Sequence, residues 1–252
     1  MILLPKNPVN ILPKIIAASA WVVYVGYLLL SDLPPGPSLL HTQPETIQEA
    51  LDLSLNFWFV LPAMFPNTAP VINPGLEGLF NIVVAWGLLF WGFLIDGRHQ
   101  RFPLVPFLIG TAFLTNVFYL LWLAVRLDNP EVPQMPLTRA EKFAESKFLP
   151  IFLTGVVVAS MVWGLWARPE FGDLTARWES LLTLISSDRL AYSFWIDMIV
   201  FWLFQGWLVK DDMVRRNYEH WGLLWVVRIL PLFGLVIYFL KRPSLAVVAQ
   251  DK

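Results

Sequence analysis

A chain of 252 residues that is 57% hydrophobic and only 15% charged, with a mean hydropathy of +0.59, falls outside the ordinary soluble class, where charge runs near about 25%. A net charge of −1 excludes the basic face that nucleic acid requires. The absence of cysteine excludes disulfides, thiolate catalysis, iron–sulfur clusters and Cys-based zinc sites. The charges sit in short clusters with long uncharged stretches between them, the distribution a bilayer selects because charge in hydrocarbon is costly.

Lys6 and Lys14 precede an apolar run in the manner of a signal peptide. The run stays uncharged for 17 residues from Ile15 to Ser31, however, longer than a signal h-region of about 7–15 residues. It therefore reads as a retained first span. Residues 32–52 follow, with Pro-Pro-Gly-Pro at the start, then Glu45, Glu49 and Asp52. The second apolar segment, Leu53–Phe65, has 13 residues, short of the roughly 20 needed to cross. Pro62, Pro66, Pro70 and Pro74 then recur every fourth residue and forbid a continuing helix. This segment is either a tilted helix that borrows Glu49–Asp52 at the interface or a re-entrant one.

The third segment runs from Leu76 to Ile95 and the fourth from Phe102 to Val125, uncharged for 24 residues. A polar loop, Arg126–Lys147, carries Pro130, Pro133 and Pro136 and a charged helical patch over 138–147. The fifth segment is Phe148–Ala167. Leu174, Trp178, Leu181, Leu182 and Ile185 then have the spacing of an interfacial helix. Segments six (Leu190–Val209) and seven (Trp221–Leu240) are joined by Lys210–His220. The expected fold is all-α, a polytopic transmembrane helix bundle of six or seven spans forming one domain over 1–252.

Lys and Arg outside the membrane split 9 to 8 with seven spans. They split 10 to 7, with both termini cytoplasmic, if segment two is re-entrant. Residues 32–76 hold four acids between Asp32 and Asp52 and no Lys or Arg, which places them on the non-cytoplasmic side in either case.

Asp197 and Arg228 lie near the middle of segments six and seven, and antiparallel packing of consecutive spans would pair them. Such a pair serves as a proton or ion relay, as an anchor for a polar headgroup, or as a static lock on helix register. Pro231 cannot donate to the carbonyl of Val227, so segment seven should kink and leave an acceptor beside Arg228. Asn81, Asn116 and Gln205 are candidates for hydrogen bonds between helices. Glu77 begins segment three at a favourable helix N-terminus, and a pair with Arg126 at the end of segment four is expected near the interface.

His41, His99 and His220 fall outside the apolar segments, which leaves no mid-membrane imidazole for haem or chlorophyll. Segment seven has no Lys for a retinal Schiff base. No Walker A, GxSxG or HExxH pattern occurs, so neither cofactor nor metal is expected. Asp96-Gly97-Arg98 opens like a CDP-alcohol phosphotransferase signature without its later residues, and Asp211-Asp212 lacks the partner aspartates of a prenyltransferase.

The stretches LNFWFVLPAMFPNTAPVINPGLEGLFNIVVAWGLLFWGFLIDGR, GTAFLTNVFYLLWLAVR and DRLAYSFWIDMIVFWLFQGWLVKDDMVRRN resemble a group of uncharacterised multi-span proteins of cyanobacteria and plant plastids, over most of residues 51–217. That resemblance implies a thylakoid or plasma membrane and transfers no site. Three functions are in play: a non-catalytic accessory or assembly factor that binds other membrane proteins or lipids; a lipid or isoprenoid enzyme using Asp197 or Glu77; and a small transporter. The expected partners are the lipid bilayer and other membrane proteins.

Overall fold

The computed structural model describes residues 11–98, 100–128 and 136–245, so Lys6, His99, Pro130 and Pro133 lie outside the described residues. All regular structure among them is helical. The helices in chain order are α1 (Ile11–Leu29), α2 (Pro44–Leu55), α3 (Pro74–Gly97), α4 (Leu104–Leu114), α5 (Asn116–Val125), α6 (Arg139–Glu145), α7 (Phe148–Trp166), α8 (Leu174–Ser187), α9 (Arg189–Arg215), α10 (Trp221–Ile229) and α11 (Phe233–Lys241), with short helical turns between some of them. Four of these, α1, α3, α7 and α9, are long and apolar enough to cross a membrane.

Helix α3 is the axis. Pro74 supplies a preset first-turn φ, and the Asn73 side chain accepts from the amides of Gly75 (2.9 Å) and Leu76 (3.3 Å). Of its most apolar stretch 78% is buried, against 17%, 28% and 33% for α1, α7 and α9. The outer helices thus turn much of their apolar surface outward, where lipid rather than water satisfies it. Small residues let α7 approach α3 closely. A Cβ on Gly78 would stand 2.8 Å from the Ser160 carbonyl, and Gly164 packs against the Pro74–Gly75 backbone.

Segment two does not form a regular span. α2 ends at Leu55, and Trp58 (φ 51°) and Phe59 (φ 60°) both take left-handed backbone before a five-residue turn of helix at Val60–Met64. α8 is the short amphipathic helix expected near residue 174. α6 forms on a capping box between Thr138 and Glu141.

Segments four and seven depart from expectation: each is a helical hairpin. α4 and α5 meet at Thr115, whose backbone (φ 41°, ψ −115°) reverses the chain. Their 11 and 10 residues reach only about 16 and 15 Å at 1.5 Å per residue. Both feet stand together, because the Gln100 amide donates to the Leu127 carbonyl (2.8 Å) and accepts from the Leu127 N–H (2.7 Å). α10 and α11 meet at Leu230–Leu232. Leu230 is extended, as a residue before proline prefers, and Leu232 has φ 54°. The feet are again joined, since Arg216 donates to the Pro243 carbonyl at 2.7 Å.

If segment four is a hairpin, cysteines at Arg101 and Asp128 will react with an impermeant thiol reagent from one and the same face. A spanning helix would expose them on opposite faces, and that labelling pattern would refute the hairpin.

Candidate functional site

Polar side chains gather at three depths along α3. The middle one is built on Asp197 of α9. Its Oδ1 accepts from the Tyr24 hydroxyl of α1 (2.7 Å) and from the Asn116 amide at the tip of the α4–α5 hairpin (2.7 Å); that amide also reaches the Asp197 carbonyl (3.2 Å). The Thr115 hydroxyl lies 3.3 Å from that of Tyr24. All four residues are buried. The node therefore ties the reversal of one hairpin to two long helices, and Asp197 lines none of the four grooves at His220, Arg228, Trp163 and Gln100.

The expected Asp197–Arg228 pair is not formed. Arg228 is exposed, its guanidinium lies 5.3 Å from the Trp225 ring centre, and its stem runs over Gly206. Gly206 is nine residues along α9 from Asp197, about 14 Å. The reason is depth: α9 continues helical through Arg215, and α10 enters only as far as Ile229 before the chain turns back. The acceptor expected from Pro231 does arise, and Gln205 takes it. Its Nε2 donates to the Val227 carbonyl (2.7 Å), and its Oε1 accepts from the Trp86 indole (3.2 Å).

Glu77 anchors the second cluster, at the start of α3. Its carboxylate accepts from Trp163 Nε1 (2.7 Å), from Arg168 Nε (3.1 Å) and from the Asn56 amide. Asn81 donates to the Glu77 carbonyl (2.9 Å) while its Oδ1 accepts from the Trp58 N–H (2.8 Å), so these residues together hold the left-handed Trp58–Phe59 segment. Arg168, not Arg126, is the partner of Glu77. Because segment four is a hairpin, Arg126 returns to the opposite end of α3.

There it enters the third cluster. Arg126 forks onto Asp96 (3.0 and 2.8 Å) and reaches Asp211 (2.6 Å), and Arg215 bridges Asp96 (2.6 Å) and Asp212 (3.0 Å). Asp212 also takes Arg216 (2.9 Å), Arg242 (3.3 Å) and the Tyr238 hydroxyl (2.7 Å), and Glu145 takes Arg216 (2.7 Å). Four arginines face four carboxylates, and all of these arginines are buried. In the sequence alone Asp96 and Asp211-Asp212 match only fragments of enzyme signatures. The available signal was their position, since each acid or arginine stands at the end of an apolar run. Among the described residues no group of three or more His, Asp or Glu side chains is arranged to hold a metal.

No protein-family model, no curated protein and no solved structure matches this chain.

Two predictions follow from the geometry. Asp197→Asn and Arg228→Gln share no contact, so their effects on thermal stability in detergent should add to within about 0.5 kcal/mol. A double variant more stable than either single one would restore the pair. The second concerns Glu49 on α2, whose carboxyl is pushed up to about 7 by burial and by the neighbouring Asp188 carboxylate, which caps α9. A raised folded-state value means the contribution is full below the ordinary carboxyl range, near about 4.5, and is lost as pH climbs through 7. Stability should thus decline over that window in the native chain. Glu49→Gln should flatten the decline, and an unchanged pH profile in that variant would disprove the contact.

Proposed function

We propose that this chain is a membrane protein without catalytic chemistry of its own, an accessory or assembly factor that works through its surfaces on other membrane proteins. One observation carries the reading: Asp197, the buried carboxylate of α9, accepts from Tyr24 and Asn116 of the same chain and lines none of the four grooves described above. An enzyme acid–base group needs a substrate cavity beside it. Glu77 and the Asp96 cluster are likewise engaged by arginines of the same chain, an arrangement suited to fixing helix positions.

The orientation we assign puts the Asp96 end in the cytoplasm. With both hairpins entering from that end, thirteen described Lys and Arg residues stand there, against Arg168, Arg177 and Arg189 at the other. Residues 32–76 then face the non-cytoplasmic side. A photosynthetic membrane as the site of action rests on the resemblance over residues 51–217.

A small transporter is the second reading, favoured by the hairpin tip that meets Asp197, since broken helices at mid-depth mark transport sites. Both hairpins enter from one end, however, and not from opposite ends as inverted repeats do. The test is affinity purification of the full chain from native membranes, in wild-type and Asp197→Asn form. A stoichiometric membrane-protein partner retained by both, with the cellular phenotype intact, is the expected result. Lost phenotype with folding and partner retained would overturn the accessory reading in favour of proton or substrate handling.

A further inference from the structure

Arg228 and Lys210 differ from the four arginines of the buried network at the Asp96 end. Arg126, Arg215, Arg216 and Arg242 are each neutralised by a carboxylate of the same chain. Arg228 and Lys210 are exposed, and neither has an ion-pair partner among the described residues. They also lie together. The Arg228 stem rests on Gly206, where an added Cβ would come within 3.0 Å of its Cγ and 3.4 Å of its Nε. Lys210 is one helical turn beyond Gly206, about 6 Å along α9.

Both cations line one groove of about 510 Å³, whose walls are Leu12 and Ile16 of α1 and Trp202, Phe204 and Trp207 of α9. The walls are apolar, while the two positive groups sit toward the end where α9 emerges. Lys210 is five residues from the end of α9, about 8 Å, and Arg228 is seven residues into α10. That is the depth at which a long cation reaches from the hydrocarbon edge to the headgroup layer. A fixed guanidinium beside an ammonium, with an acyl-wide trough below, is complementary to a phosphate that carries its own hydrocarbon chain.

We propose that this groove binds an anionic phospholipid, its phosphate held by Arg228 and Lys210 and an acyl chain laid along Leu12, Ile16, Trp202 and Trp207. Gly206 is the seat that lets Arg228 lie flat in the trough. The inference goes beyond the accessory reading and stands independently of it, since co-purification decides one and lipid selectivity the other.

The test uses the full chain in a neutral detergent, with its melting followed on adding dioleoyl phosphatidylglycerol, dioleoyl phosphatidylcholine or inorganic phosphate. Phosphatidylglycerol should raise the melting temperature at concentrations about tenfold below those at which phosphatidylcholine acts, and inorganic phosphate should have no effect. The R228Q/K210Q variant should melt as the native chain does without lipid and lose the phosphatidylglycerol preference. Phosphatidylglycerol brominated on its acyl chains should also quench tryptophan fluorescence less in W202F than in the native chain. Equal response to both lipids, a preference surviving in the double variant, or quenching unchanged in W202F would each overturn the site. An equal response to inorganic phosphate would replace the lipid with a simple anion.

Discussion

The buried ion network at the Asp96 end closes this fold. Asp96 terminates α3, Arg126 terminates the first hairpin, Asp211 to Arg216 terminate α9, Arg242 terminates the second hairpin and Glu145 terminates α6. Five segment ends are thereby drawn to one layer. Each charge buried there loses several kcal/mol of hydration, which only close partners of opposite sign can offset. The balance of four against four is thus a condition for the ends to meet at all. Removing one arginine would strand a carboxylate that now accepts from it, and the hairpin foot it holds would be the first part to open.

A hairpin that stops short of crossing creates a second problem: the backbone groups at its tip have no helix to continue into and, in hydrocarbon, no water. The neighbouring helices supply the partners. At the α10–α11 reversal, α9 gives Gln205 to the Val227 carbonyl and Trp202 to the Arg228 carbonyl (2.7 Å). At the α4–α5 reversal, Thr115 and Asn116 meet Tyr24 and Asp197 through side chains, and the Trp21 indole donates to the Val117 carbonyl at 2.8 Å. The polar residues scattered through α9 thus each have a place in the fold. They stand where the broken helices need donors and acceptors, so Asp197 and Gln205 act on the hairpins much as caps act on a helix end.

How much of this could be read from the residues depends on the element. The all-helical class and the four long helices follow from unbroken apolar length, and the failure of Leu53–Phe65 to form a span follows from its prolines. The hairpins do not follow from length, because 24 uncharged residues over 102–125 suffice for a crossing helix. Pro231 marked the second reversal, but proline inside an apolar run equally well marks a kink. Thr115-Asn116 gave a still weaker signal, since only its tertiary partners make a reversal there favourable. The pairing errors both descend from this one point. With segment four taken as a span, Arg126 falls beside Glu77. With segment seven taken as a span, Arg228 falls beside Asp197. Asn116 and Gln205 join helices because that role requires only a polar group at depth, whatever the topology around it, whereas Asn81 bonds within α3 and to the Trp58–Phe59 segment.

The same error explains why charge bias in the sequence looked so weak. Counting segments four and seven as crossings deals the basic clusters alternately to the two sides, which is how a nine-to-eight split arises. Treating both as hairpins leaves Lys14 and every cluster flanking them, from Arg98 to Lys147 and from Lys210 to Arg242, on one side, and the described cations then divide thirteen to three. The three that remain opposite are held by Glu77 or by backbone carbonyls: Arg168 by Glu77 and Pro70, Arg177 by Ala167 and Gly172, Arg189 by Leu28 and Gly36. Positive charge at the Glu77 end is thus confined, among the described residues, to arginines that are bound in place. Charge segregation is imposed during insertion and helix breaking by tertiary packing, so the two have no common cause within the bundle. Their agreement on a single topology is independent support for the hairpins from the linear sequence.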